Sequence, residues 1–178
     1  MKNINTLILA LFGLVVFQAC EGPEGPQGAQ GPVGEPGINI VSEVFEVEVD
    51  FNAANNYSEI FQFNPVIVES DVVLSFVQWE VDGGTPIWRA MPQTAYFQEG
   101  GILVYNYDFT SSDFSIFLDG NLDLSTLSAD WTDNQVFRVV VLPGDFASTN
   151  ARIDLTDYDA VTKLLGLTDE DFKRIELK

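Results

Sequence analysis

The chain has no histidine, a single cysteine and only eight lysines and arginines in 178 residues. Without histidine there is no Ser-His-Asp or Cys-His machinery and no imidazole ligand for a metal. One cysteine excludes an internal disulfide framework and any CxxC zinc or redox motif. Eight cations against 27 aspartates and glutamates leave a formal charge of −19. A surface of that sign repels phosphate backbones and anionic headgroups, which argues against nucleic acid as a partner. No apolar stretch is long enough for a membrane span. The eleven residues from Leu7 to Phe17 would cover about 16 Å as a helix, against roughly 30 Å of hydrocarbon. What is present is ample core material, 46% hydrophobic and 12% aromatic, enough for one domain with appendages.

The first residues read as an address. Lys2, the run LILALFGLVVF and then Gln18-Ala19-Cys20 predict a lipoprotein signal peptide over residues 1–19, with Cys20 left as the lipidated first residue. The segment resembles a bacterial lipobox, from which Phe17 and Gln18 depart where a leucine and a small residue are usual. The alternative is an ordinary signal peptide followed by a free thiol, and the rarity of an odd cysteine in secreted chains weighs against it. Stable membrane attachment needs more than one acyl chain, which an N-acylated diacylglyceryl cysteine provides. Cleavage removes only Lys2 among the charges, so the mature chain carries 7 − 27 = −20.

Residues 20–37 form the next unit. Glycine recurs at 22, 25, 28, 31, 34 and 37, with Pro23, Pro26, Pro32 and Pro36 between, giving five uninterrupted Gly-X-Y triplets. That period belongs to collagen, in which only glycine fits the axis of three polyproline II strands. Five triplets without lysine partners for Glu24 and Glu35 offer little association energy, so a single-chain spacer is favoured over a homotrimeric stalk. Pro-rich sequence is extended even when alone, at about 3.1 Å per residue. The tether therefore reaches roughly 50 Å.

From 38 to 150 the apolar period is two. In EVFEVEVDF, Phe45, Val47, Val49 and Phe51 alternate with Glu46, Glu48 and Asp50, which predicts a strand with one wet face. Similar runs at 57–63, 72–81, 87–91, 102–109, 113–118 and 135–142 bring the count to about seven. Turn residues separate them, among them Asp82-Gly83-Gly84, Glu99-Gly100-Gly101 and Asp119-Gly120. No helical stretch long enough for a crossover lies between neighbouring strands, so an all-β antiparallel sandwich of immunoglobulin-like size is expected. The runs 72–81 and 135–142, apolar on both faces, belong at its centre.

Residues 151–178 change period and read as a C-terminal helical segment. Thr156 is expected to cap a helix with Asp157 and Asp159 in its first turn and a stripe of Tyr158, Val161, Leu164 and Leu165, and Gly166 closes it. Thr168 and Asp171 suggest the cap of a second helix carrying Phe172 and Ile175. Five of the eight cations fall here, so the segment is expected to pack on the acidic sandwich.

Candidate chemistry is sparse. Asp119, Asn121 and Asp123 have the alternating spacing of calcium-loop ligands, but no glycine and distant glutamate of an EF-hand follow, and a plain hairpin turn explains them as well. Trp79 and Trp88 lie in strand runs and read as core. Trp131, in the polar stretch SADWTDNQ, is the candidate for ligand binding, with Tyr105 and Tyr107 as further stacking faces for a glycan. Between Glu21 and Ala151 the only cations are Arg89 and Arg138; carboxylate pairing that anchors the sheet competes with recognition of an acidic ligand.

The order of Cys20, a short Gly-X-Y stretch and then WRAMPQT (88–94), YNYDFTSSDFSIFLDGN (105–121), QVFRVVVLPGDF (135–146) and DYDAV (157–161) resembles a family of small collagen-like lipoproteins of Gram-negative bacteria. The resemblance implies an outer-membrane or cell-surface location and carries no activity and no site residues. Three classes of function follow. The first is a non-enzymatic envelope lipoprotein displaying a structural or interaction module, whose partners are the membrane and a surface protein or glycan. The second is a carbohydrate-binding module centred on Trp131. The third is an extracellular hydrolase, disfavoured because no nucleophile motif is present and no spacing nominates a carboxylate pair.

Overall fold

A computed structural model describes residues 43–144 and 153–175. The signal peptide, Cys20 and the Gly-X-Y tether lie outside the described residues. Nine strands make two sheets. They are β1 (Glu43–Val49), β2 (Ser58–Gln62), β3 (Val72–Asp82), β4 (Thr85–Ala90), β5 (Gln93–Tyr96), β6 (Ile102–Phe109), β7 (Asp113–Gly120), β8 (Gln135–Leu142) and β9 (Lys173–Ile175). One sheet runs β4-β3-β8-β1-β9, the other β2-β7-β6-β5. Two helices are relevant, the single turn α1 (Ala129–Thr132) and the longer α2 (Tyr158–Leu165).

The two sheets face each other in a β-sandwich-like arrangement. Phe45, Val47 and Val49 of β1 and Phe137 and Val139 of β8 meet Phe61 of β2, Leu103 of β6 and Phe114 and Ile116 of β7 in one buried cluster. Period-two alternation put these residues on one side of each strand, and burying that side holds the register, since a one-residue slip would turn every apolar side chain outward. Phe114 stacks on Phe61 at 5.0 Å and meets Phe63 at 5.2 Å, so aromatic rings fill this end of the core. The β3–β4 hairpin closes through Gly83 and Gly84, with φ of +56° and +89°. Both belong to a two-residue turn that a side chain would strain.

All seven expected strands are present, and two more extend them. β5, only four residues, pairs with β6 through Thr94↔Val104 and Ala95↔Leu103. β9 replaces the second C-terminal helix that the sequence suggests. Thr168 and Asp171 do form a reciprocal cap, but around a three-residue 3-10 turn at Asp169–Asp171, after which the chain extends along β1. That pairing is parallel, Phe45↔Lys173 to Val47↔Ile175, so the sheet is not wholly antiparallel as expected. The thirty residues between β8 and β9 contain α2 and are long enough for the crossover that no earlier connection permits.

The outer face of the five-stranded sheet is covered by this C-terminal layer. Asp157 caps α2 by accepting a hydrogen bond from Ala160 N, and Gly166 ends it at φ +66°. The stripe read from sequence faces the sheet: Val161 and Phe172 are buried with Phe76, Val140, Leu142 and Val44, and Tyr158, Leu164 and Leu165 pack around them. The alternate face of β1 is therefore not simply wet. Glu46 meets Arg138, and Glu48 lies 2.5 Å from Arg174.

Candidate functional site

A cleft lined by aromatic and polar groups opens at the end of the sandwich where β3 outruns β8. Their pairing ends at Val77↔Phe137, yet β3 continues to Asp82, so the β8-facing backbone edge from Gln78 onward has no ladder partner among the described residues. A register shift between Gln78 and Glu80 accompanies this, an irregularity that re-aims a strand locally. The space left is a cleft of about 280 Å³ lined by Val77, Gln78, Trp79, Tyr105, Asp130, Trp131 and Gln135.

Trp131 comes from α1, the single turn before β8. Its ring meets Trp79 edge-on at 6.0 Å and tilts against Phe97 at 5.0 Å. The sequence separated Trp131 as exposed from Trp79 and Trp88 as core; all three are half-buried. Trp79 and Trp131 share the cleft, whereas Trp88 lies on the opposite face of the sheet, stacked on Tyr158 at 5.4 Å. The alternation of β3 puts Trp79 on the same face as Val73 and Val77, but nothing in it reveals that the turn carrying Trp131 would be brought to that face.

The floor of the cleft is held by hydrogen bonds. The Tyr105 hydroxyl lies 2.8 Å from Trp131 O and 3.1 Å from Gln135 Oε1, two acceptors that share its single proton. The Gln135 amide nitrogen donates to Asp133 O at 2.8 Å and Asp130 O at 3.2 Å, so its side chain is fully engaged. Burial pushes the Tyr105 phenol far above its ordinary pKa. Tyr105 is a post between the sheets rather than the open stacking face considered from sequence, and Tyr107 acts likewise by donating to Val73 O at 3.1 Å.

Arg89 and Arg138 take different roles. Arg89, on β4, places its guanidinium 4.3 Å from the centre of the Trp79 ring, a cation–π contact at the margin of the cleft. Arg138 is buried under the C-terminal layer, 2.7 Å from Asp169 and 3.1 Å from Glu46, and is hydrogen-bonded to the Tyr158 hydroxyl. Its guanidinium also lies 4.4 Å from the Trp88 ring and 4.2 Å from the Phe172 ring. Burial opposes its charge, but the bonds to Asp169, Tyr158 and Glu46 together hold its pKa above the ordinary value. Carboxylate anchoring is the reading the contacts support for Arg138.

The calcium-like triplet is spent on the backbone. Asp119 accepts from Gly120 N at 2.7 Å. Asn121 accepts from Ile102 N at 2.7 Å and donates to Gly100 O at 3.1 Å, which pins a hairpin end. Asp123 caps the 3-10 turn Leu124–Thr126, and the Ser125 hydroxyl and amide hold its carboxyl below the ordinary range. Among the described residues no group of three or more aspartates, glutamates or cysteines is placed to hold a metal ion, and no helix is long and apolar enough to cross a membrane. Comparison with known protein families, curated proteins and solved structures finds no match.

Proposed function

We propose that this chain is a non-enzymatic bacterial envelope lipoprotein in which an acylated Cys20 and an extended Gly-X-Y spacer hold a β-sandwich, serving as an interaction or structural module, off the outer membrane. The observation that carries this reading is the position of the only cysteine, between an eleven-residue apolar run and five collagen-like triplets. Lipid at Cys20 is the anchor, the polyproline II spacer sets the standoff, and the sandwich faces the periplasm or the exterior.

Growth of a producing bacterium with a palmitate analogue tests the anchor. The wild-type chain is expected to take up label and Cys20→Ser to take up none; equal labelling of the two overturns the assignment. Protease treatment of intact cells then separates the two faces, since release of the sandwich requires exposure outside the cell.

A further inference from the structure

We propose that the cleft lined by Trp79 and Trp131, whose rings meet edge-on, binds a neutral sugar, one pyranose ring at a time, beside the indoles and the free edge of β3. The inference goes beyond the envelope reading and does not depend on it, because it concerns the sandwich wherever the chain resides.

Size sets the first limit. At about 280 Å³ the cleft falls at the small end of ligand sites, which run from roughly 300 to 1,000 Å³. It suits a single ring and not a buried chain. The walls set the second, since the half-buried indoles offer apolar surface at fixed positions, Trp79 with one face taken by Arg89 and Trp131 held by Phe97 and by the Tyr105 hydroxyl on its carbonyl. Polar groups set the third. The β8-facing edge of Gln78 and Trp79 carries backbone groups without a ladder partner, and the Asp130 carboxylate makes no hydrogen bond among the described residues. Gln135, in contrast, has both amide N–H donors engaged and serves as floor. A surface that is apolar on one side, with a free strand edge and a free carboxylate on another, matches a ring with one CH face and a rim of hydroxyls.

Charge removes the competitors. An anionic ligand would meet Asp130 inside the cleft and a formal charge of −19 around it. An organic cation would compete with Arg89, already 4.3 Å from the Trp79 ring and of like sign. A neutral, polyhydroxylated ring avoids both conflicts.

The purified full-length chain is titrated with neutral hexoses, N-acetylhexosamines and their short oligomers, with a uronic acid and tetramethylammonium as charged probes. Indole emission and saturation-transfer NMR provide the readouts. A saturable response to at least one neutral sugar is expected, weakened tenfold or more in Trp131→Ala and in Asp130→Ala, with both charged probes tenfold weaker or silent. Silence across the neutral panel, a preference for either charged probe, or unchanged binding in Asp130→Ala overturns the proposal. Asp130 is exposed, so that variant decides the matter even where Trp131→Ala loses its fold.

Discussion

Arg138 shows how one residue can be legible in type and invisible in role. It is 5% exposed, whereas its partners are not: the side chains of Glu46 and Asp169 are 24% and 80% exposed. Removing the arginine therefore leaves two carboxylates that water can reach, while removing both carboxylates leaves a buried guanidinium with only Tyr158 and aromatic faces. The second change is the costlier one, because an uncompensated buried charge costs about 3–5 kcal/mol. Asp169→Asn alone is expected to cost less than about 1 kcal/mol, as an exposed partner should. The double variant Glu46→Gln, Asp169→Asn is expected to lose about 3 kcal/mol in urea unfolding, more than the two single changes summed. A strictly additive double variant would show that the network does not act as a unit. From the sequence alone, an arginine inside an apolar run announced only that a partner must exist. Which carboxylates answer it depended on β1 pairing Glu46 opposite Arg138 and on a turn that arrives 31 residues later.

At the scale of elements, the C-terminal layer carries the largest departure from expectation. α2 was readable because its signals are local: a capping residue, which proved to be Asp157 rather than Thr156, a stripe spaced at three and four residues, and a glycine at φ +66°. β9 was not, because a three-residue edge strand has no period of its own and draws its backbone partners from β1. β5 was missed for the same reason. The layer is structural, since it covers Phe76, Val140 and Leu142 on a face that β3 and β8 leave apolar. Val161, fully buried at its centre, tests this. Val161→Ala is expected to cost about 1–2 kcal/mol through lost contacts and a small cavity, which lowers Tm by about 3–6 °C. A chain ending at Gly144 should expose that face and aggregate; if it stays monomeric with an unchanged urea midpoint, the layer is not part of the fold's stability.

For the whole molecule, charge and tether act together. Copies carrying −20 each repel, and five triplets without lysine partners offer little to bring three chains into register. A chain beginning at Glu21 is expected to sediment as a monomer at all concentrations in moderate salt. A concentration-independent trimer would reverse the role of the Gly-X-Y stretch from spacer to stalk. Screening should matter to this outcome: with a Debye length of about 10 Å at 0.1 M salt, repulsion between sandwiches is strongest in dilute buffer. Self-association that appears only at low ionic strength would run against that account.

Composition and period alone determined that this is a mostly-β chain with a helix near its end, that histidine chemistry and internal disulfides are excluded, that alternation selects the core residues of β1, β6 and β7, and that β3 and β8 are apolar on both faces. These features follow from neighbours one to four residues apart or from simple counts. Tertiary structure alone decided that Trp79 meets Trp131, that Asn121 and Asp123 serve turns, that Arg138 lies beneath an aromatic lid, and that the sheet gains a parallel edge strand. Apart from the local cap that Asp123 makes on Ser125, each of those joins residues far apart in the chain, and such contacts depend on a sheet register that hydrophobic period does not encode.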